Sequence, residues 1–457
     1  MVALLALFAC DAAAPSARVV VLGMDGLEYT ALDRYAEDLP NFARFFEGAL
    51  RADMEVTRPI MSPILWTTMA SGYGVDQHGV GGWTNGQGRS FTGADVRTER
   101  VWDALSGEGR ESVVSGWLMT WPAPAIEGAL LSDRFVWSVP MSRDPSQPVH
   151  SDHREVTTFP DGLATLAAGL LPTEAELRAM PLGYQVEKYG APSHPLRRDE
   201  LHVRVFEALW PEQNADFGAL YLNGADQVSH IYWPFADPDI QGLIRADPAA
   251  HKRAVDEVIA RFPSRPMPVY GEQGLDASGL AEASRWVPDY YRYLDSVLGR
   301  VMDTVGPDVT LIVCSDHGFQ VSQSKPLVDG QHHEIAVFAA RGPRVKAQVG
   351  ATMHVYDVAP TLYALLGLPS AADMPGRVRD DLFELNVREP VASRVLERAQ
   401  IEVGAGEGGA GDDALREQLE ALGYIDEEGR PQTAIGESRK RPGEGPSGRG
   451  PRKPGAR

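Results

Sequence analysis

The stretch Arg18–Asp25 reads RVVVLGMD, a nearly unbroken apolar run that ends in an acid. The same form recurs at Phe217–Asp226, FGALYLNGAD, and at Val309–His317, VTLIVCSDH. Continuous apolar runs of this length, rather than alternating ones, are typical of strands that are buried on both faces of a parallel sheet. The sequence therefore predicts an α/β fold with these three runs as strands of a mostly parallel central sheet.

Each of the three predicted strands ends in residues that can bind a metal ion. Asp25 follows the first strand, Asp226 and His230 follow the second, and Asp316 and His317 follow the third. Because ligands of open α/β sheets bind beyond the carboxyl ends of the strands, we expect these side chains to meet at one edge. A mixed set of carboxylates and imidazoles suits divalent metal ions and points to metal-assisted hydrolysis.

Each of these signals also has a simpler interpretation. An acid after a strand usually caps a helix or forms a turn, and an Asp–His pair spaced i and i+4 is an ordinary surface feature. His332 and His333 precede a further predicted strand, AVFAA at 336–340, but paired loop histidines are otherwise commonly solvated. It is the agreement of the signals that predicts a metal site.

Ser62 is the candidate nucleophile. It lies in the segment Arg58–Gly72, RPIMSPILWTTMASG, directly before Pro63, a residue suited to the first turn of a helix. The simpler interpretation makes Ser62 the helix cap. The alternative is catalytic, because a bound metal ion can lower the pKa of a serine hydroxyl and a helix N-terminus favours the resulting anion. The residues by themselves leave both interpretations open.

Composition narrows the class of partner. The chain has 457 residues, 43% of them hydrophobic, and a net charge of −20, which fits one large or two moderate domains with a sizeable core. The negative charge argues against a nucleic-acid-binding surface. A small phosphate-bearing substrate is not excluded, because bound metal ions reverse the local field. The two cysteines provide no disulfide framework, and nothing in the sequence indicates an oligomeric state.

Several motifs together resemble one family, the type I phosphodiesterases and nucleotide pyrophosphatases of the alkaline phosphatase superfamily. In order, over about residues 18–385, these motifs are VLGMDG (21–26), SPILWTTMASG (62–72), DQHGV (76–80), GWLMTWPAP (116–124), YLNGADQVSHIYW (221–233), CSDHGF (314–319), HHEIAVFAARGP (332–343), DVAPTLYALLGLP (357–369) and MPGR (374–377).

The resemblance implies an alkaline-phosphatase-like three-layer α/β/α sandwich over residues 18–400, with capping insertions near 140–200 and 235–285. It also implies two divalent metal ions, usually zinc. One ion would take Asp25, Asp316, His317 and the oxygen of Ser62, and the other would take Asp226, His230 and a histidine of the 332–333 pair. The spacing to the GP at 342–343 favours His332, whereas a slip of one residue would give His333.

The implied activity is hydrolysis of a phosphoester through Ser62, with a phosphodiester or pyrophosphate favoured over a monoester. Many nucleotide-cleaving members have Thr at the position of Ser62 and Asn at that of Leu65. These two differences argue against nucleotide pyrophosphatase activity more than against phosphoester hydrolysis in general. The alternatives are a sulfatase, a phosphomutase or a non-catalytic metal-binding lipoprotein. The sulfatase signature needs Cys/Ser-x-Pro-x-Arg, whereas Pro63 follows Ser62 directly and no Arg follows.

The two ends of the chain differ in character from the rest. VALLALFA at 2–9, followed by Cys10, resembles a bacterial lipoprotein signal, although no basic residue precedes it and it is too short to span a bilayer. With residues 1–17 taken as signal and tether, this predicts an exported protein, periplasmic or membrane-anchored through a lipidated Cys10. Residues 401–457 are rich in Gly, Pro and charge, which predicts a flexible, largely disordered tail.

Overall fold

A computed structural model describes residues 17–138, 157–180, 182, 195–261 and 275–396, together with residues 416, 419–420, 424–425 and 429–430. Cys10, residues 140–156, 181, 183–194 and 262–274 of the two predicted insertions, and most of the predicted tail lie outside the described residues. Export, lipidation and the flexibility of the tail therefore stay predictions. Within the described part, no helix is both long enough and apolar enough to cross a membrane.

A nine-stranded sheet forms the centre of the molecule. Its strands are β1 Arg18–Met24, β2 Leu50–Glu55, β3 Ser112–Ser115, β4 Gly128–Leu131, β5 Thr158–Phe159, β6 Phe217–Leu222, β7 Val309–Cys314, β10 Ile335–Arg341 and β11 Gln348–His354, while β8 Gly318–Val321 and β9 Gly330–His333 form a separate antiparallel hairpin. The strand order in the large sheet is β11-β2-β10-β7-β1-β6-β3-β4-β5. All of its strands run in the same direction except β5 and β10.

The three apolar runs occupy the middle of this sheet. β1 lies between β6 and β7 and pairs with both in parallel. Val20 and Leu22 enter the hydrophobic core on one face, and Val19 and Val21 enter the core on the other. Because successive side chains of a strand point to opposite faces, only a continuous apolar run can fill both cores.

Helices cover both faces of the sheet. The core that contains Val20 is covered by helices Tyr29–Arg34, Pro40–Phe46, Leu163–Leu170, Pro195–Leu209, Gly224–Ala236 and Trp286–Val305. The core that contains Val19 is covered by helices Ser62–Ser71, Val101–Gly107 and Val358–Leu365. The remaining described α-helices are Val75–His78, Phe135–Ser138, Glu174–Ala179, Pro238–Ala246, Pro248–Arg261 and Ala277–Ala283. The predicted three-layer α/β/α architecture is confirmed.

One predicted element is divided in two. The apolar spacing across 30–46 predicts one amphipathic segment, whereas the structure has helices Tyr29–Arg34 and Pro40–Phe46 with a 3₁₀ turn, Ala36–Asp38, between them. Proline lacks a backbone N–H and suits the first turn of a helix, so Pro40 starts a new helix rather than continuing the first.

Candidate metal centre

The carboxyl ends of β1 and β7 place three ligand side chains next to each other. Asp25 follows β1, and Asp316 and His317 follow β7, the strand paired with β1 in parallel. Each residue offers one ligand atom, and these atoms lie within 4.8 Å of one another. The three side chains are at most 1% exposed. We call Asp25, Asp316 and His317 site 1.

A second group of ligands forms beside it. Helix Gly224–Ala236 starts just after β6, so Asp226 and His230 lie one turn apart on the same face, and β9 adds His332. Asp226 Oδ1 is 3.3 Å from Nε2 of each histidine, and the two Nε2 atoms are 3.0 Å apart. We call Asp226, His230 and His332 site 2. His333 lies outside this group, and its Nδ1 accepts a hydrogen bond from the backbone of Ile335.

The spacing within the two sites fits metal coordination. Two ligand atoms that each lie about 2.0–2.1 Å from a tetrahedral zinc ion are roughly 3.3 Å apart. The separations in site 2 are 3.0 and 3.3 Å, and Asp25 Oδ1 of site 1 is 3.2 Å from His317 Nε2. The donors fit a small divalent cation in both places.

Several buried polar atoms of the sites form no hydrogen bond. These atoms are Asp25 Oδ1, Asp226 Oδ1, both carboxylate oxygens of Asp316 and His317 Nε2. A buried polar atom without a partner costs about 1–3 kcal/mol, so a cluster of five is unusual in a native protein. A bound cation would satisfy them together, which is the second indication that the residues fit metal ions.

The two sites are adjacent. His317 Nε2 of site 1 lies 3.7 Å from Asp226 Oδ1 of site 2. The rings of His317 and His332 stack with their centroids 3.6 Å apart and their planes 18° from parallel. Two ions held at these positions would share one pocket, as in paired-metal hydrolytic sites.

The electrostatic balance differs between the sites. Burial, together with the nearby charges of Asp25 and Asp226, raises the pKa of Asp316 well above its usual range. Burial also raises the pKa of Asp226, but His230 and His332 outweigh it and hold that pKa well below its usual range. Site 1 therefore has an excess of negative charge that favours a cation, whereas the charge of Asp226 is balanced within the protein.

Other buried groups hold the ligands in place. Tyr221 donates a hydrogen bond of 2.6 Å to Asp25 Oδ2, and the indole Nε1–H of Trp66 donates one of 3.2 Å to the same oxygen. His332 Nδ1 lies 3.1 Å from the carbonyl of Ile60, to which it donates. This bond leaves the Nε2 lone pair directed at site 2. Neither Tyr221 nor Trp66 carries a signal for this role in the sequence, because an aromatic residue in an apolar strand or helix is indistinguishable from a core residue.

Two glycines permit the close approach of the site elements. Gly26 has a φ of +69°, and a Cβ added there would lie 3.0 Å from the Cα of Asp226. A Cβ on Gly318 would lie 2.2 Å from Glu28 Oε2, which accepts a hydrogen bond from the backbone of Phe319. The glycines that follow Asp25 and His317 are thus required by the packing around the ligands.

Ser62 does not act as a helix cap. The helix begins at Ser62 itself, Met61 occupies the N-cap position, and no side chain caps this end. The capping interpretation is therefore wrong, because the N-cap position falls one residue earlier. Ser62 Oγ is buried without a hydrogen bond. Along the chain, Ser62 follows Ile60, whose carbonyl accepts a hydrogen bond from His332 of site 2. It precedes Trp66, whose indole donates a hydrogen bond to Asp25 of site 1.

A small cavity of about 30 Å³ adjoins the metal sites. Its lining includes Asp25, Asp226, Trp83, Arg198 and Tyr424. Arg198 is one of these lining residues; its Nη2 is buried without a hydrogen bond, and its Nε lies 4.0 Å from Asp199 Oδ1. Neither Arg198 nor Tyr424 has a local sequence signal, since Arg198 lies in an ordinary charged run, RRDE at 197–200, and Tyr424 lies in a segment without a motif.

Comparison with known proteins agrees with this site. The model of the family "type I phosphodiesterase / nucleotide pyrophosphatase" matches residues 19–361. The chain belongs to this family, and membership of it supports a hydrolase. The family typically binds divalent metal ions. No curated protein matches the chain in sequence.

Solved structures give more distant likenesses. Murine ectonucleotide pyrophosphatase / phosphodiesterase 5 is similar with a TM-score of 0.44 and 12% identity, over 80% of this chain and 100% of that one. A 2-O GAG sulfatase is similar with a TM-score of 0.48 and 12% identity, over 82% of this chain and 76% of that one.

Proposed function

We propose that this chain is a phosphodiesterase that uses Ser62 as its nucleophile and two divalent metal ions, with zinc as the ion best suited to the donors. The observation that carries the proposal is the pair of carboxylate–imidazole groups that approach to 3.7 Å, together with a buried serine hydroxyl that has no hydrogen-bond partner. Mixed carboxylate and imidazole ligation suits zinc.

The residues would divide the reaction between them. Ser62 Oγ attacks phosphorus, a new O–P bond forms to the serine, and the bond to the leaving alcohol breaks. Water then cleaves the serine ester. When bound, the ions lower the pKa of the adjacent hydroxyl and polarise the phosphate ester. The N-terminus of the Ser62–Ser71 helix favours negative charge at the serine and at the phosphate.

Substrate recognition would differ from that of the nucleotide-cleaving relatives. Leu65, at the position where many of them carry Asn, is fully buried in the hydrophobic core. The loss of one hydrogen-bond donor to a phosphoryl oxygen costs roughly 3 kcal/mol of transition-state stabilisation. Arg198 lines the cavity beside Asp25 and Asp226 with a buried nitrogen that forms no hydrogen bond, and it is the group we assign to this role.

The test is a comparison of two serines of one helix. Ser62→Ala should lower hydrolysis of bis-p-nitrophenyl phosphate by at least about 1,000-fold, because the nucleophile is lost, while zinc content stays at two ions per chain. Ser71→Ala is the matched control, since Ser71 lies at the other end of the helix, where its Oγ donates to the carbonyl of Thr67 and accepts from the backbone of Tyr73. Unchanged turnover in the Ser62 variant would show that the proposed nucleophile is wrong.

Paired substrates decide the reaction class. We expect the wild-type enzyme to hydrolyse bis-p-nitrophenyl phosphate with a higher kcat/KM than p-nitrophenyl phosphate or p-nitrophenyl sulfate. A preference for the phosphate monoester would contradict the diesterase assignment. A preference for the sulfate would favour the sulfatase alternative.

A further inference from the structure

A tyrosine near the C-terminus reaches into site 2. Tyr424 Oη lies 2.8 Å from His230 Nε2 and 3.2 Å from His332 Nε2. These are the nitrogen atoms that face Asp226 Oδ1 at 3.3 Å. The tyrosine oxygen is thus spaced from the two imidazoles in the same way as the third ligand, and it brings the number of donor residues from three to four.

The position of Tyr424 is supported by packing on both sides of it. Leu419 and Ile425 are buried and belong to the hydrophobic core that also contains Trp83. The backbone N–H of Tyr424 donates to the carbonyl of Leu419 at 2.8 Å. The Tyr424 ring packs on Trp83, with centroids 5.9 Å apart, and meets His230 edge-on at 5.5 Å. These packing contacts therefore fix the position of the Tyr424 hydroxyl.

The same residues fill the space that a substrate needs. Leu419 and Tyr424 line the cavity beside Asp25 and Asp226, and its volume is about 30 Å³. This is room for on the order of two water molecules. A phosphodiester is several times larger, so it does not fit beside Asp25 and Asp226 while Leu419 and Tyr424 line the cavity.

We propose that Tyr424 is a displaceable ligand of site 2, supplied by the C-terminal segment, whose oxygen holds the position that a phosphoryl oxygen of the substrate takes during turnover. The identity of the displacing group rests on the proposed function. Four donors complete the usual tetrahedral set of a zinc site, whereas a catalytic site keeps one position open for water or substrate. The affinity for an incoming phosphate is lowered by the fraction of molecules in which the tyrosine is bound.

The test uses Co²⁺ and inorganic phosphate as probes, so that it does not depend on turnover. Tyr424→Phe keeps the ring on Trp83 and removes only the oxygen. In the full-length protein loaded with Co²⁺, we expect the visible absorption spectrum of the variant to differ from that of wild type, and the Kd for phosphate to fall about 10-fold. Tyr363→Phe is the control. The Tyr363 hydroxyl is buried without a hydrogen bond in the hydrophobic core that contains Val19.

Two results would overturn the proposal. An identical Co²⁺ spectrum and an identical phosphate Kd in wild type and Tyr424→Phe would make the hydroxyl a mere neighbour of the histidines. Weaker phosphate binding by the variant would make Tyr424 a contact of the phosphate rather than its competitor.

A second variant tests displacement with the hydroxyl intact. Leu419→Ala removes apolar contacts from the core that holds Tyr424 in place. It should therefore also tighten phosphate binding, although by less than Tyr424→Phe does. An unchanged Kd in Leu419→Ala would contradict the dependence on this segment. If wild type binds two Co²⁺ ions but cleaves no diester, the proposed function fails while the ligand test keeps its meaning.

Discussion

The two metal sites are built from the same kinds of residue but on different supports. Site 1 takes Asp25, Asp316 and His317 from the ends of two central strands, and its side chains are at most 1% exposed. Site 2 takes its residues from a helix and a hairpin outside the main sheet, and the His230 side chain is 12% exposed. The comparison shows a fully buried site beside a slightly more accessible one, which suits a reaction in which the second site exchanges ligands.

Replacing one carboxylate in each site should abolish activity in both but change stability in opposite directions. Asp316→Asn and Asp226→Asn should each lower diester hydrolysis by more than about 100-fold, because each removes a ligand. In the metal-free protein at pH 7, Asp316→Asn should raise the free energy of unfolding, since the raised pKa of Asp316 shows that its charge is unfavourable there. Asp226→Asn should lower it, since His230 and His332 stabilise that charge.

Urea unfolding in the presence of a chelator measures the effect. Both substitutions preserve shape, so each variant serves as the steric control for the other. Stability changes of the same sign in the two variants would contradict the electrostatic difference between the sites.

The support of site 1 can be weakened without touching its ligands. Tyr221→Phe removes the hydroxyl that donates to Asp25 Oδ2 at 2.6 Å. Loss of such an orienting partner typically costs about 10–100-fold in metal affinity, and we expect that loss at site 1 alone. Calorimetric titration of the metal-free protein with zinc should show one binding phase weakened and one unchanged. Equal weakening of both phases would mean that the sites are not separable.

The smallest expected effect is the pH dependence of stability caused by His78, which sets the lowest pH at which the two sites can be compared in a folded protein. Burial lowers the pKa of His78 to about 4, and its Nδ1 accepts a hydrogen bond of 3.1 Å from the backbone of Val80. The unfolded chain therefore binds a proton below about pH 6.5 that the folded protein does not bind until about pH 4. The contribution of His78 to stability is fully present above pH 6.5 and falls by about 1.4 kcal/mol per pH unit as the pH drops toward 4.

His78→Asn can keep an acceptor for Val80 and has no titration in this range. Its unfolding free energy should depend less steeply on pH between 6 and 4.5, by about 1.4 kcal/mol per pH unit. Urea unfolding of the metal-free variant and wild type at several pH values checks this, and identical slopes would contradict it. The variant would separate acid loss of metal from acid weakening of the fold.

The central strands could be predicted because both of their faces are buried. β1, β6 and β7 are continuous apolar runs, and the ligands directly follow two of them and lie within two turns of the third. The outer strands could not be predicted in this way. β11, QVGATMH, is mostly exposed, and β4, GALL, is four residues long. Their place in the sheet comes from pairing with neighbours rather than from a periodic pattern.

The choice between His332 and His333 shows where local sequence reasoning ends. Adjacent residues of a strand point to opposite sides, so only one of the two can face site 2. The hairpin register, which pairs Phe319 with His332, decides which one. Tyr424 was beyond prediction for a similar reason, because its contacts with His230 and His332 join positions that are far apart in the chain.

The hydrogen bond from His332 to the carbonyl of Ile60 has a consequence for anyone who redesigns this protein. It fastens the β8–β9 hairpin to the loop that precedes Ser62. The orientation of the His332 imidazole and the position of this loop are therefore linked. A hairpin taken from a relative would have to form this hydrogen bond again, so hairpin and loop are best exchanged together.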